Sequence, residues 1–248
     1  MNHRYFLRLS YDGTAYCGWQ VQPNGNTIQA ELEKDMSVVF GQPLQITGAG
    51  RTDTGVHARE MFAHFDLPLA LTPDEILQAI YKLNNLLPTD IAIHDLFPVS
   101  LDAHARFDAV SRTYEYHILT RKDPFKERFA WYWQGRLDVI SMNRAAVHLF
   151  GVHDFQCFSK VHTDVSNFVC DVQEAYWREY DGELVFTITA NRFLRNMVRA
   201  VVGTLFDIGR GKLQVADIER IIQSKNRSEA GSSVPAKGLS LVKIMYPY

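Results

Sequence analysis

Patterns typical of strands and helices occur in two successive sets along this chain, and their order restricts the folds that it can adopt. In the first set, side chains alternate between two faces over residues 4–11, and apolar residues recur at helical spacing over 26–40. A strand pattern at 61–67, a helix pattern at 72–87 and a strand pattern at 91–99 complete this set. Of the 248 residues, 46% are hydrophobic, so the chain can bury a core in one large domain or in two fused halves.

The second set repeats this organisation more loosely after residues 102–106. It consists of a long strand at 107–120, a helix at 138–150, a hairpin of 168–180 and 183–190, a long helix at 192–208, a short helix at 215–224 and a last strand at 238–246. We therefore predict an α+β protein of two similar halves, residues 1–103 and 104–248. We expect mostly antiparallel sheets that form a central cleft, with helices on their outer face.

Capping signals mark the starts of the first two predicted helices. Asn26 with Gln29 fits the arrangement of a capping box. Thr72 with Glu75 fits the same arrangement, and Pro73 suits the first helical position.

The sequence predicts a cytoplasmic protein without membrane contact. No apolar run approaches the roughly 20 residues that span a bilayer, and the first residues pass into a strand pattern without a signal-type segment. Cys17, Cys157 and Cys170 form no Cys-x-x-Cys pair, which is typical of free thiols in a reducing compartment. The net charge of −2 argues against a protein that coats nucleic acid indiscriminately, but it is compatible with a local basic groove.

The stretch from Gly48 to Ala58 concentrates groups that can do chemistry. A guanidinium, a carboxylate and an imidazole, those of Arg51, Asp53 and His57, fall within seven residues between strand-like runs at 44–47 and 61–65. Loops on a rigid scaffold often carry reactive groups, so this stretch is a candidate site. An Asp-Thr-Gly sequence taken alone is more typical of a turn than of a catalytic centre.

Three arginines of the predicted 192–208 helix share one sector of its surface. At about 100° per residue, Arg192, Arg195 and Arg199 lie together, and apolar residues occupy the opposite side. This pattern is typical of a solvated basic face. It also suits a helix in which one arginine meets the loop carboxylate and the others meet phosphates, because guanidinium groups bind both partners.

The spacing disfavours two other kinds of site. A dinucleotide fingerprint would require glycine in place of Asp53, and a Walker loop would end in Gly-Lys-Ser/Thr, which this stretch lacks. His153, Asp154, Cys157 and His162 do not have the spacing of a recognised metal site. We therefore predict neither a nucleotide cofactor nor a metal.

Five blocks occur along the chain in a characteristic order. They are Tyr11-Asp12-Gly13 with Gly18-Trp19-Gln20, the stretch 49–58, His104-Ala105-Arg106-Phe107 with 111–116, the stretch 191–199, and Gly238-Leu239. Together they resemble the TruA-type family of tRNA pseudouridine synthases, and the resemblance covers nearly the whole chain. One position differs from the family pattern: Thr54 follows Asp53, where relatives are expected to have alanine or lysine. This difference concerns details of the substrate and leaves the Asp53 carboxylate in place.

The resemblance implies a role for particular residues. Asp53 is similar to the family's catalytic aspartate, Arg51 to the loop arginine at the flipped base and RNA backbone, and Tyr114 to the tyrosine that stacks on the target base. Arg199 is similar to the arginine paired with the aspartate, and Leu239 to an apolar residue of the pocket wall. It also implies a cofactor-independent homodimer that acts at positions 38 to 40 in the anticodon arm of tRNA.

The chemistry of pseudouridine formation agrees with these roles. The base must leave the stack to expose its reacting atoms, and an aromatic plane such as that of Tyr114 can replace the lost stacking. Asp53 would act either by covalent attack or by removing a sugar proton, and Tyr114 is a candidate acceptor for the proton at C5. His57 is assigned to positioning.

Basic residues supply the candidate contacts to phosphates, because such contacts dominate the sequence-independent part of RNA affinity. These residues are Arg8, Arg59, Arg106, Arg112, Arg121, Lys122, Arg192 and Arg195. Two alternative functions are a pseudouridine synthase acting on another RNA or another tRNA position, and a tRNA-binding protein without catalysis.

Overall fold

The computed structural model describes residues 2–160 and 166–248, and in it the chain divides into two compact units. The first unit comprises Met1–Val110 and Leu241–Tyr248, and the second comprises Ser111–Ser240. Each unit combines a largely antiparallel sheet with helices, which confirms the predicted α+β class.

The strands of the described residues carry the labels β1 to β10 in chain order. They are β1 (His3–Tyr11), β2 (Thr47–Gly48), β3 (His57–Leu67), β4 (Ile91–Val99), β5 (Ser111–Leu119), β6 (Trp131–Tyr132), β7 (Gly151–Asp154), β8 (Val169–Tyr180), β9 (Glu183–Ala190) and β10 (Leu239–Met245). The predicted hairpin around Asp181-Gly182 is confirmed as β8 and β9.

The helices are α1 (Ile28–Phe40), α2 (Pro73–Leu86), α3 (Val139–Ala146), α4 (Met197–Gly209) and α5 (Asp217–Ser224). The predicted capping box of α2 is confirmed, because Thr72 accepts a hydrogen bond from the Glu75 N–H and Glu75 accepts one from the Thr72 N–H. The cap predicted for α1 is wrong. Its N-cap is Thr27 rather than Asn26, and the Thr27 side chain accepts a bond from the Ala30 N–H.

The sheet of the first unit has the order β4-β1-β3-β10, and β2 pairs with β3. Strand β1 lies between two antiparallel neighbours, so Tyr5 stands opposite Phe65 on β3 and Pro98 on β4. Its apolar side chains are buried together with those of β3. Helix α2 is fixed to the edge strand β4 by Asn84, whose side-chain amide donates to the Ile93 carbonyl and accepts from the Ile93 N–H, both at 2.8 Å.

The sheet of the second unit has the order β5-β9-β8-β7, with every one of these neighbours antiparallel, and the short β6 pairs in parallel with β5. All residues of β9 are buried. Helix α3 is fixed to β8 by Asn143, whose side chain bonds both the N–H and the carbonyl of Trp177, at 2.7 and 3.1 Å. A helical asparagine thus makes the same two-bond contact with a strand in each unit.

Two predicted elements begin at least four residues later than the sequence pattern indicated, at 197 instead of 192 and at 111 instead of 107. Helix α4 starts at Met197 rather than at 192, because Asn196 has a left-handed backbone with φ of 66° and interrupts the helix. Arg192 and Arg195 therefore lie on the preceding loop, and only Arg199 lies on the helix. Strand β5 starts at Ser111 rather than at 107, since residues 105–107 form a turn and residue 108 a bend.

Strand β3 begins earlier than predicted, at His57, so this histidine belongs to the strand rather than to the loop before it. The strand-like run at 44–47 reduces to the two-residue β2. Across the described residues, no helix combines the length and the apolar character required to cross a membrane.

Candidate active site

The Asp53 loop, residues 49–56, connects β2 to β3 in the first unit. Its start is fixed to β3, because Thr47 and Gly48 pair with His64 and Ala63, and the Ala49 N–H donates to the Phe62 carbonyl at 2.7 Å. Asp53 is half-buried in this loop, and Arg51 is exposed. The loop prediction is confirmed for these two residues.

Backbone hydrogen bonds hold the middle of the Asp53 loop. The Trp19 N–H donates to the Thr52 carbonyl at 3.2 Å, and the Gly55 N–H donates to the Tyr16 carbonyl at 3.3 Å. The Val56 N–H donates to the carbonyl of Asp53 itself at 3.1 Å and closes a turn. The carboxylate is thus presented by a turn whose backbone is fixed on both sides.

Two glycines of the first sequence block, Gly13 and Gly18, allow their segment of the backbone to lie close to the Asp53 loop. Gly18 has φ of 90°, and a Cβ placed on it would lie 2.4 Å from the Thr52 carbonyl oxygen. A Cβ on Gly13 would lie 2.0 Å from the Val56 carbonyl oxygen. The two blocks are visible in the sequence, but the need for glycine is not, since nothing local shows which distant backbone a glycine will meet.

Buried side chains complete the support of the Asp53 loop. The Tyr11 hydroxyl and the Thr52 hydroxyl are hydrogen-bonded at 2.8 Å in a buried position. His57, which is 2% exposed, accepts a bond at Nδ1 from the Gly13 N–H at 3.0 Å. This contact gives His57 a structural task in joining the start of β3 to the 12–15 turn.

A further contact fixes the segment that lies against the loop. The Tyr16 hydroxyl donates to Asp90 at 2.6 Å, and the Asp12 N–H donates to the Asp90 carbonyl at 2.9 Å. Burial and the Asp90 carboxylate raise the pKa of Tyr16 above its ordinary value. Tyr16 therefore remains a neutral hydrogen-bond donor at physiological pH.

In the second unit, Tyr114 lies half-buried on β5 and meets Phe193 edge to face, with ring centroids 5.1 Å apart and an interplanar angle of 84°. Arg112, two residues earlier on the strand, donates from Nη1 to the Asn191 carbonyl at 2.9 Å. Asn191 is held in turn by Asp171, whose N–H donates to the Asn191 side chain at 2.9 Å. Strand β5 and the loop before α4 are thereby brought together.

Arg199 projects from the first turns of α4 and is tied to the 230–235 segment. Its Nε donates to the Val234 carbonyl at 2.8 Å, and the Val234 N–H donates to the Arg199 carbonyl at 3.2 Å. The first bond limits the direction of the guanidinium group, and the second joins the backbone of α4 to this segment. Leu239 is buried at the start of β10, directly after Gly238, where a Cβ would lie 2.7 Å from the Tyr116 ring.

The remaining basic candidates differ in exposure and in partners. Arg192 is half-buried, and Arg195 is exposed while its backbone carbonyl accepts the Lys160 N–H. Arg106 is exposed, with its guanidinium 5.7 Å from the centre of the Phe107 ring. Their contact with a substrate stays a prediction.

Among residues 2–160 and 166–248, no group of three or more His, Cys, Asp or Glu side chains is placed to hold a metal ion. His162, one member of the set considered from the sequence, lies outside the described residues. The three cysteines are free, as predicted, with Cys157 and Cys170 buried.

Comparison with known proteins gives a consistent result. A family model described as tRNA pseudouridine synthase matches residues 9–108 and 145–247. A protein of Porphyromonas gingivalis named tRNA pseudouridine synthase A is 51% identical over 246 residues, which cover 98% of this chain and 97% of that protein. Proteins of the same name from Parabacteroides distasonis and Exiguobacterium sibiricum are 48% and 39% identical over 244 residues, covering 98% of this chain and 96% and 97% of theirs.

Proposed function

This chain belongs to the tRNA pseudouridine synthase family, and from that premise we propose that it isomerises uridine to pseudouridine at positions 38 to 40 in the anticodon arm of tRNA, with Asp53 as the catalytic carboxylate. The Asp53 loop carries this proposal. It presents a half-buried carboxylate on a turn. The loop backbone is hydrogen-bonded to Tyr16 and Trp19 on one side and to β3, through Ala49 and Phe62, on the other. A rigid presentation of this kind is what a reacting group requires.

The reaction rearranges the nucleotide without net change in composition. The bond from N1 of uracil to the sugar C1′ breaks, the base turns, and a bond from C5 to C1′ forms. The C5 proton leaves to an acceptor and N1 gains a proton, so the step consumes no redox or group-transfer cofactor. The base must first be unstacked, which makes a pocket with a stacking surface necessary.

In this proposal Tyr114 provides the stacking surface and is the candidate acceptor for the C5 proton. The edge-to-face contact with Phe193 supports the stacking role, because it fixes the plane of the phenol ring. Arg199 stabilises the negative charge of the Asp53 carboxylate in the reacting complex, and Leu239 contributes apolar surface to the pocket. The bonds of Arg199 to Val234 support its role, since they limit the orientations of the guanidinium.

We assign the contacts to the RNA backbone to basic residues around these motifs. Arg51 belongs to the Asp53 loop, and His57 positions that loop through Gly13. The other members of this set are Arg106, Arg112, Arg192 and Arg195. Guanidinium groups suit phosphate oxygens because they donate several hydrogen bonds in a fixed geometry.

We also propose that the protein acts in the cytoplasm as a homodimer. The free thiols of the three cysteines support a reducing compartment. Sedimentation at concentrations used in the activity assay tests the dimer, and an active species that is strictly monomeric would contradict it.

The central experiment maps pseudouridine after incubation of purified protein with unmodified tRNA. We expect product at positions 38 to 40 with the wild type, and a loss of at least about 10³-fold in rate with Asp53→Asn, because the amide cannot act as base or nucleophile. Asp74→Asn, a change of the same chemistry at an exposed residue of α2, should retain the wild-type rate. Full activity of Asp53→Asn would remove the assignment of Asp53, and product at other positions would refute the stated site in tRNA.

A further inference from the structure

The Phe125 loop, residues 121–129, connects β5 to β6 and combines basic and aromatic side chains. Arg121, Lys122, Lys126 and Arg128 supply positive charge, Asp123 and Glu127 supply negative charge, and Phe125 and Phe129 are aromatic. The loop lies between the two stretches matched by the family model, 9–108 and 145–247. The reaction proposed above assigns no role to its aromatic residues.

A partly buried and an exposed ion pair anchor the base of this loop. The Lys126 ammonium group is hydrogen-bonded to Glu183, which is 9% exposed, and the second oxygen of Glu183 lies 2.5 Å from Nδ1 of His117. Arg121 is paired with Asp181 at 2.7 Å. Its aliphatic stem covers Gly182, where a Cβ would lie 2.6 Å from Nε of Arg121. The loop is therefore fastened to the β8–β9 hairpin at two points.

Hydrogen bonds within the loop then determine the position of its tip. The Asp123 carboxylate accepts the Phe125 N–H at 2.9 Å, and the Asp123 carbonyl accepts the Lys126 N–H at 3.2 Å. The Phe129 N–H donates to the Lys126 carbonyl at 3.0 Å. This turn directs Phe125 into solvent, where 94% of its surface is exposed.

A charged residue of the same loop indicates what covers Phe125. Lys122 is exposed and forms no ion pair within the part of the chain that the structure describes. A solvent-exposed aromatic ring on a loop with a fixed backbone, three residues from a lysine without an ion pair among the described residues, matches the way proteins bind unpaired nucleotides, by stacking on a base and contacting a phosphate. An apolar partner surface would instead leave the charge of Lys122 desolvated and unpaired.

We propose that the Phe125 loop is a second contact surface for the tRNA substrate, at which Phe125 stacks on an unpaired base and Lys122 contacts the RNA backbone. This inference rests on the proposed function for the identity of the RNA. It concerns binding and not the chemical step, so substitutions in the loop alter KM and leave kcat at saturating tRNA unchanged.

The first test compares Phe125→Ala with Phe125→Trp in steady-state assays on unmodified tRNA. Loss of one base–aromatic stack should raise KM by about 5- to 150-fold in Phe125→Ala, with kcat unchanged. Phe125→Trp should keep KM within about threefold, because the larger ring stacks as well. The new tryptophan should also show fluorescence quenching on tRNA binding beyond that of the wild type.

Phe150→Ala is the matched control, since Phe150 is a phenylalanine of the same unit that is 63% exposed and lies outside the loop. It should leave KM unchanged. Lys122→Ala should lower the slope of log Kd against log salt concentration by about one, which identifies a phosphate contact. The thermal midpoint of each variant shows that the exposed substitutions leave the fold intact.

If Phe125→Ala has the same KM as the wild type, the inference is overturned and the proposed function still stands. The same holds if Phe125→Ala changes the oligomeric state without changing KM, because the loop would then contact a second copy of the chain. If the wild type binds tRNA and forms no pseudouridine, the proposed function fails. The dissociation constants of the two Phe125 variants then still decide whether this loop binds RNA.

Discussion

The Asp53 loop and the Phe125 loop are both fixed in position, but by different kinds of interaction. The Asp53 loop is held by backbone hydrogen bonds, by the neutral Tyr11–Thr52 pair and by glycines that allow close approach. The Phe125 loop is held mainly by charges, through Lys126 with Glu183 and Arg121 with Asp181.

This difference has consequences for how each loop responds to its surroundings. Neutral hydrogen bonds in a buried position depend little on salt or on pH within the range in which no partner titrates. Ion pairs depend on both, and the dependence is weaker for a buried pair than for an exposed one. Neutral hydrogen bonds suit a reacting group, because its position then depends little on salt and pH. A binding surface for RNA can be held by ion pairs, although their strength varies with salt and pH.

The largest effect is expected for Gly18→Ala. The new Cβ would lie 2.4 Å from the Thr52 carbonyl oxygen at a residue with φ of 90°, so the loop must shift and the backbone is strained. We expect a loss of about 2–4 kcal/mol in the free energy of unfolding and a fall in kcat, measured by urea denaturation and by pseudouridine formation.

Gly50→Ala in the same loop is the control for this substitution. No atom lies within 4 Å of a Cβ at Gly50, so stability should stay the same or rise by up to about 1 kcal/mol. Equal behaviour of the two variants would show that close approach at Gly18 does not position the Asp53 loop.

Local signals explain which parts of the fold were predictable from the sequence. The Thr72–Glu75 capping box and the turn at Asp181-Gly182 act within a few residues, so their patterns sufficed. The start of α4 depends on a distant contact, since the left-handed Asn196 donates a side-chain bond to Ser233 at 2.6 Å. An apolar periodicity that continues to 192 cannot reveal such a contact.

The same distinction applies to the candidate site. The Asp53 loop was recognised because its glycines and ionisable groups are adjacent in sequence. The contact of Tyr114 with Phe193 joins residues that lie 79 positions apart, and the sequence gives no pattern for it. Resemblance to a family supplied the two residues separately, and the edge-to-face geometry is known only from the structure.

Glu183→Gln should have the next largest effect, because it removes the charge that holds the Phe125 loop. Burial alone would raise the pKa of Glu183, but hydrogen bonds from Lys126 and His117 outweigh it and hold the pKa below its ordinary value. We expect a loss of about 1–3 kcal/mol in the free energy of unfolding at pH 7, measured by urea denaturation.

The pH dependence of this variant has a defined sign. A carboxyl group with a lowered pKa in the folded state stabilises the protein above its unfolded value, near pH 4.5, and this stabilisation is lost as the pH falls through the folded pKa. The difference between wild type and Glu183→Gln should therefore be constant above pH 5 and shrink in acid. A difference that grows in acid would contradict the role of Glu183.

Tyr11→Phe should have a smaller effect of about 1–2 kcal/mol, because it removes one buried hydrogen bond and leaves the Thr52 hydroxyl without that partner. A double-mutant cycle with Thr52→Val isolates the pair, and we expect a coupling of about 1 kcal/mol in the free energy of unfolding. The coupling should be the same at pH 5 and pH 8 and in low and high salt. A coupling that disappears in high salt would abolish the distinction between the two loops.

Asp181→Asn should have the smallest effect, although its ion pair with Arg121 is as short as many buried ones. Asp181 is 87% and Arg121 is 64% exposed at the side chain, so water and ions screen the pair, and the cost should stay below about 0.5 kcal/mol. Because the Arg121 stem still covers Gly182, the loop keeps this anchor after the charge is lost. Any remaining effect should vanish in 1 M salt, where the screening length falls to about 3 Å. A loss above about 1 kcal/mol in low salt that disappears in high salt would show that the exposed pair, and not Glu183, is the main charge that holds the Phe125 loop.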